Sequence, residues 1–333
     1  METRRLGTSP LQLTTVGLGT WAIGGGDWKF GWGPQDRDEA IAGIHAALDA
    51  GINWIDTAPV YGGGQAEELV GQALAQRPAA SKGVYVATKC GRILDGRDNV
   101  FGRLKRESVR QECEDSLRRL QVETIDLYQI HWPDPEPDIE EAWDEMTRLV
   151  EAGKVRYLGV SNHHVPHLQR LSPRHPITSL QPPYSLIARD IEREILPYCR
   201  EHSIGVIAYS PMGKGLLTGR FDAQRLAQLD PTDHRHRDPR FQPPQLEINL
   251  EFVRGLEQLA QRHGRTTAQL AIAWVLAQPG VTAAIVGARR PSQIQETVQA
   301  GDWTLDPATL GEIQQLSETR QRALTALEPA PSR

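Results

Sequence analysis

Residues 38–89, DEAIAGIHAALDAGINWIDTAPVYGGGQAEELVGQALAQRPAASKGVYVATK, hold the fold in miniature. From Asp38 to Ala50, residues Ile41, Ile44, His45 and Leu48 recur at helical spacing, and Gly51 stands where helices commonly end left-handed. INWID, to Asp56, and VYVATK, to Lys89, are short apolar runs with little polar alternation, as strands covered on both faces read. The same alternation extends outward in both directions. Further strands are TTVGLG to Gly19, IDLYQIH to His131, RYLGVSN to Asn162, TSLQ to Gln181, GVIAYS to Ser210 and TAAIVG to Gly287. Between them, ESVRQECEDSLRRL sets Val109, Cys113, Ser116, Leu117 and Leu120 on one stripe, with Ser108 as its cap and Glu112 close behind. Ile139 to Ala152, closed by Gly153, buries Trp143, Met146 and Leu149 or Val150, and 192–199, 246–263, 267–277 and 292–299 supply further helices. About eight strand–helix units in 333 residues predict an α/β (β/α)8 TIM barrel with a single domain over 1–333. Residues 213–244, containing LDPTDHRHRDPRFQPP, read as a long loop within it, because barrel units continue afterwards. Residues 303–333 add a C-terminal helix, roughly Pro307 to Leu327, and a frayed EPAPSR tail.

Composition narrows the function. Thirty-seven Lys+Arg against 42 Asp+Glu give a formal charge of −5 with no basic stripe, which argues against nucleic acid as a partner. No apolar stretch approaches the roughly 18 residues of a bilayer span. METRRLGTSP lacks an apolar segment behind its charges, so the expected location is cytoplasmic. Cys90, Cys113 and Cys199 form no CxxC pair and read as reduced core thiols. His163 and His164 are adjacent and would face opposite ways, and His234 and His236 sit in a charged loop, so no metal site is expected. In GLGTWAIGGG the glycines fall at 17, 19 and 24, which is not the GxGxxG of a dinucleotide-binding turn.

Barrels of this type build their sites at the C-terminal ends of the strands. Here those ends carry Asp56, Lys89, His131, Ser161 and Asn162, Gln181, then Tyr209 and Ser210. Singly, each has a structural reading as a helix cap or a satisfied core group. Together with Tyr61, the Asp, Lys and His make an acid–base set around one mouth. A Lys ammonium beside a phenol favours phenolate and lowers its pKa, a carboxylate holds the ammonium, and an imidazole N–H polarises a carbonyl oxygen. The set suits reduction of a carbonyl or oxidation of an alcohol, with hydride from elsewhere. Trp28, Phe30, Trp32 and Trp132 lie on loops after the first and fourth barrel strands, and Trp28 and Trp132 are the expected substrate-pocket walls.

The strings GLGTW, WIDTAPVYGGGQAEELVG, VATKCG, DLYQIHWPD, LGVSN, QPPYSL, AYSPMGKGLLTG and VGARRPSQIQE, in order between Leu6 and Gln299, resemble the signatures of the aldo-keto reductase superfamily. The resemblance is nearest to the bacterial general-stress and inositol-locus reductases and, further off, to the potassium channel β subunits. It implies a catalytic tetrad of Asp56, Tyr61, Lys89 and His131, with Tyr61 as general acid. It assigns Ser161, Asn162 and Gln181 to the nicotinamide carboxamide, Tyr209 to ring stacking, and Gly19, Thr20, Trp21 and Asp56 to the nicotinamide side. Arg220, Ser210 and Met212 fall near the pyrophosphate; Gly287, Ala288, Arg289, Gln293 and Glu296 fall at the adenosine and its 2′-phosphate. Arg289 departs from the Ser of the channel subunits, and a guanidinium suits a phosphate, so NADPH is the expected cofactor. The implied reaction is reduction of an aldehyde or ketone to an alcohol, with a small carbonyl or alcohol as partner. Two alternatives stand beside it: a redox-sensing, partner-regulating protein with slow turnover, as in the channel subunits, and a sugar or polyol dehydrogenase. A Lys89 Schiff base would leave Tyr61, His131 and the arginines without roles.

Overall fold

Eight short parallel strands close on themselves in a computed structural model that describes residues 1–25, 28–96, 99–231 and 233–327. In chain order the strands are β1 (Thr3–Arg5), β2 (Gln12–Thr14), β3 (Val16–Gly19), β4 (Trp54–Asp56), β5 (Tyr85–Cys90), β6 (Arg92–Asp95), β7 (Asn99–Gly102), β8 (Ile125–Ile130), β9 (Val155–Ser161), β10 (Ser179–Gln181), β11 (Gly205–Ala208) and β12 (Val281–Gly287). The barrel runs β3-β4-β5-β8-β9-β10-β11-β12, and β12 pairs back with β3. Two antiparallel hairpins, β1–β2 and β6–β7, lie outside the predicted repeat.

Period-two alternation sends every second side chain into the barrel and the others onto the helices. The lower interior is apolar: Trp54, Ala87, Leu127, Ile207, Ala283 and Ile285 pack with Leu6, Leu11 and Leu13 of the first hairpin, which plugs the floor. A Cβ on Gly17 would lie 2.0 Å from the Trp54 ring, so the indole fills the space a side chain would take. Two residues further along each strand the same inward face turns polar, with Asp56 above Trp54, Lys89 above Ala87, Gln129 above Leu127 and Tyr209 above Ile207.

Several local expectations are corrected. The helix predicted to be capped by Ser108 runs Arg106–Leu120 with Lys105 at its cap position. Its exposed end is satisfied from outside: the Arg106 N–H donates to Glu141 Oε1 at 3.0 Å, while Ser108 bonds Glu112 at 3.1 Å. On Arg37–Asp49 the buried face is Ala40, Ile41, Gly43, Ile44 and Ala47, with His45 and Leu48 only half-buried. The segment expected over 192–199 splits into a 3-10 turn, Asp190–Glu192, and a helix, Ile195–Glu201, because Pro197 is tolerated only in a helix's first turn. Within the 213–244 loop the described residues form short turns, Gly213–Thr218, Ala223–Ala227, His234–Arg237 and Pro239–Phe241. Asp222, Asp233 and Asp238 each cap one by accepting the N–H of Arg225, Arg235 and Arg240. The C-terminal helix is Pro307–Thr325, and the EPAPSR tail, 328–333, lies outside the described residues. The three cysteines are free and buried. No described helix is long and apolar enough to cross a membrane.

Candidate active site

At the C-terminal mouth of the barrel, β4 and β5 set Asp56 and Lys89 side by side. Lys89 Nζ is fully buried, 2.6 Å from Asp56 Oδ1, 2.9 Å from the Thr57 carbonyl and 3.5 Å from the Tyr61 hydroxyl. Tyr61 begins a tight turn, Tyr61–Gly64, whose Gly62 has φ 63°. A Cβ on Gly62 would meet the Gly24 carbonyl oxygen at 1.9 Å. Only glycine lets the loops after β3 and β4 touch there, and that contact fixes the phenol. His131, just past β8, sets its ring edge to face against Tyr61 with centroids 5.8 Å apart. Phenol, ammonium, carboxylate and imidazole thus converge from four separate stretches of chain.

Burial dominates their electrostatics. It holds the His131 imidazole well below its ordinary value, with Lys89 and Arg92 adding to the effect, so the ring is neutral at physiological pH. It draws Lys89 downward against the pull of Asp56. Burial first and the Asp56 charge second push the Tyr61 phenol well above 10. The expectation that Lys89 depresses the phenol is reversed in net direction, because burial and the Asp56 charge together outweigh one nearby ammonium.

A second layer joins this set. Gln181 Nε2 donates to Asp56 Oδ2 at 2.8 Å, and Ser161 Oγ donates to the Gln181 carbonyl at 2.8 Å. Asn162, left-handed at φ 61°, donates to Ser161 Oγ and the His131 carbonyl, both at 3.0 Å, and accepts from the Tyr209 hydroxyl at 2.9 Å. Thr20 donates through both its N–H and its hydroxyl to the Asp56 carbonyl, each at 3.0 Å. Trp21 stacks near Tyr61 with centroids 6.5 Å apart. Gly19, at the end of β3, pairs in register with Asp56. Side-chain amides beside a fixed aromatic ring match the chemistry of a pyridine carboxamide. After β11 come left-handed Ser210, Gly213, Lys214 and Gly215, with Met212 between them; such turns shape backbone concavities that suit phosphate.

The far end of the proposed cofactor track is arranged differently. Arg289 Nε donates to Gln35 Oε1 at 2.7 Å, and its other nitrogens to the Trp32 carbonyl at 3.0 Å and the Pro34 carbonyl. Three of its five N–H groups are therefore engaged by the loop after β3. Gln293 Oε1 accepts the backbone N–H groups of Arg289 and Arg290 at 2.8 and 3.1 Å, with Gly287 and Ala288 just before them. Arg220 and Glu296, both expected on the cofactor, pair with each other at 2.7 Å.

The two candidate pocket tryptophans diverge. Trp28 is 5% exposed and packs with Ala58 and Val60, with Trp21 and Tyr61 against that cluster. Trp132 is 40% exposed with the Arg92 guanidinium 5.6 Å above its ring. Sequence reasoning did not mark Gln129 for the site, and it read His234 only as a loop residue without a metal role. His234 sits 5.1 Å from Trp21 and 4.9 Å from Trp32 by ring centroids, its pKa held down to about 4 mainly by burial. Gln129 had a signal, a polar residue in step with His131 on a strand covered on both faces; His234, on an irregular loop, had none.

The model of the Aldo/keto reductase family matches residues 15–318. The chain is 39% identical over 320 residues to aldo-keto reductase YhdN of Bacillus subtilis, covering 96% of this chain and 94% of that protein. It is 34% identical over 330 residues to the NADH-specific methylglyoxal reductase of Escherichia coli, covering 95% and 98%. Among solved structures, the glycerol dehydrogenase AKR11B4 from Gluconobacter oxydans matches with a TM-score of 0.88 at 40% identity, covering 100% of this chain and 98% of that one.

Proposed function

The chain belongs to the aldo/keto reductase family, and on that premise we propose that it reduces a small aldehyde or ketone to an alcohol with NADPH, in the cytoplasm. The observation that carries the reading is the buried Asp56–Lys89 pair, 2.6 Å apart, set 3.5 Å from the Tyr61 hydroxyl and facing His131. When bound, the nicotinamide supplies the hydride that adds to the carbonyl carbon. The protein does the rest. Tyr61 is protonated at neutral pH, as any phenol with its ordinary or a raised pKa is, and it delivers that proton to the carbonyl oxygen. As the phenolate forms, the Lys89 ammonium beside it offsets the new charge, and Asp56 and the Thr57 carbonyl keep the ammonium in place. The neutral His131 ring donates a hydrogen bond that orients the same oxygen. In the reverse direction the phenolate accepts the alcohol proton, the chemistry a polyol dehydrogenase needs. Ser161, Asn162 and Gln181 hold the carboxamide end, and Tyr209 backs the ring.

NADPH is preferred to NADH because Arg289, Arg290 and Gln293 cluster at the end of β12. With three N–H groups of Arg289 already engaged, the preference is modest. The test is NADPH and NADH oxidation by the purified protein with methylglyoxal, glyceraldehyde, sugars and aromatic aldehydes. Rapid multiple turnover with at least one of them is the expected result. Single slow turnovers with tightly held cofactor would overturn the reading in favour of a sensor.

A further inference from the structure

Taking the proposed reaction as given, we propose that Gln129 is a positioning residue for the Asp56 carboxylate, and through it for Lys89 and the proton donor. Gln129 lies on β8 in register with Lys89 on the neighbouring β5, and its side chain is fully buried inside the barrel. Its hydrogen-bond partners there both belong to the site. Gln129 Nε2 reaches Asp56 Oδ2 at 3.4 Å, and Gln129 Oε1 accepts from Gln181 Nε2 at 3.3 Å. Gln181 Nε2 also donates to Asp56 Oδ2 at 2.8 Å, which closes a triangle of two amides and one carboxylate oxygen.

One orientation of both amides satisfies all three contacts. A carboxylate only accepts, so both nitrogens must turn toward Asp56, and reversing either amide would oppose two oxygens. The 2.8 Å bond to Asp56 by itself commits the nitrogen of Gln181 inward, so its oxygen stays available to a carboxamide N–H whether or not Gln129 is present. The barrel makes room for this. A Cβ on Gly159, the register partner of Gln129 on β9, would come within 3.2 Å of Gln129 Cγ and 2.4 Å of Ser179 Oγ. Two residues below, the same face of β8 carries Leu127, so packing alone does not demand an amide at 129. A buried amide needs partners, and the ones present are those that fix the anchor of Lys89.

Gln129→Met, nearly equal in volume, removes both contacts. Turnover should fall about tenfold, the scale of one hydrogen bond to a charged group, while NADPH affinity from fluorescence titration changes less than twofold. Gln129→Glu gives a signature that packing would not. Protonated, its carboxyl still donates to Asp56; ionised, it sets a second negative charge there. Its kcat should approach the parent value at low pH and fall along a new basic limb as pH rises. Parent-like kcat and pH profile in both variants would overturn the proposal, as would losses of cofactor affinity in step with kcat. Tyr61→Phe measured in parallel separates the layers: if it is inactive while the Gln129 variants are normal, only this proposal falls, and if it turns over fully, the reaction reading falls with it.

Discussion

The two ends of the proposed cofactor track are built on different principles. At the barrel mouth, Asp56, Lys89, Gln181 and Ser161 sit on strands or directly at their ends, are buried, and bond to one another. At the adenosine end, Arg289 and Arg220 sit on loops and bond to other protein groups, the carbonyls of 32 and 34 with Gln35 in one case and Glu296 in the other. Strand geometry fixes the first set before any ligand arrives. The second would have to exchange existing partners if it holds the phosphate proposed for it. On the proposed reading the reacting groups are preorganised, whereas selectivity for a cofactor phosphate would be a competition between the ligand and the loop after β3.

The largest effect should come from the preorganised end. Tyr61→Phe should lower kcat by about 10² or more with cofactor affinity nearly unchanged; a smaller loss in stopped-flow turnover would mean the mouth does not hold the acid assigned to it. At the other end, Arg289→Ala should raise the KM for NADPH by no more than about tenfold, because a guanidinium that shares its donors contributes less than a free one. It should also loosen the 32–35 loop, read as faster amide exchange there. A hundredfold change confined to NADPH would show that the loop yields easily and would collapse the contrast.

Stability against pH tests how dry the strand end is. Burial pushes the Glu112 carboxyl, which accepts the Gly91 N–H at 2.9 Å, up to about 8. Between the ordinary glutamate range and that value the folded chain holds a proton the unfolded chain has lost, so stability should fall as pH rises through the window. His163 is held down to about 3, chiefly by burial. Between that value and the ordinary histidine range the unfolded chain binds the extra proton, so stability should fall on acidification. The two windows overlap between the ordinary glutamate and histidine ranges, where their opposite slopes offset each other, so thermal melts should plateau there and fall on either side, and Glu112→Gln should remove the alkaline fall. The smallest effect is an absence of reaction. Burial raises the Cys90 thiol well above its usual value and takes Cys113 and Cys199 to about 12. A thiol reagent should leave the native protein untouched over hours; rapid labelling at Cys90 would show that β5 opens.

Much of this was readable from the chain. Apolar runs alternating with amphipathic stretches determine a parallel barrel, because the strand period and the helix period are local properties of neighbouring residues. Each polar strand end marked by sequence, from Asp56 to Tyr209, lies at the mouth for the same reason. Only the tertiary structure decided what those groups do to one another. Contacts such as Arg106 with Glu141, Arg289 with the Trp32 carbonyl and Gln129 with Asp56 join residues 35, 257 and 73 positions apart. No local pattern encodes such distances, and burial, which reverses the direction expected for Tyr61, exists only once the barrel has closed around it.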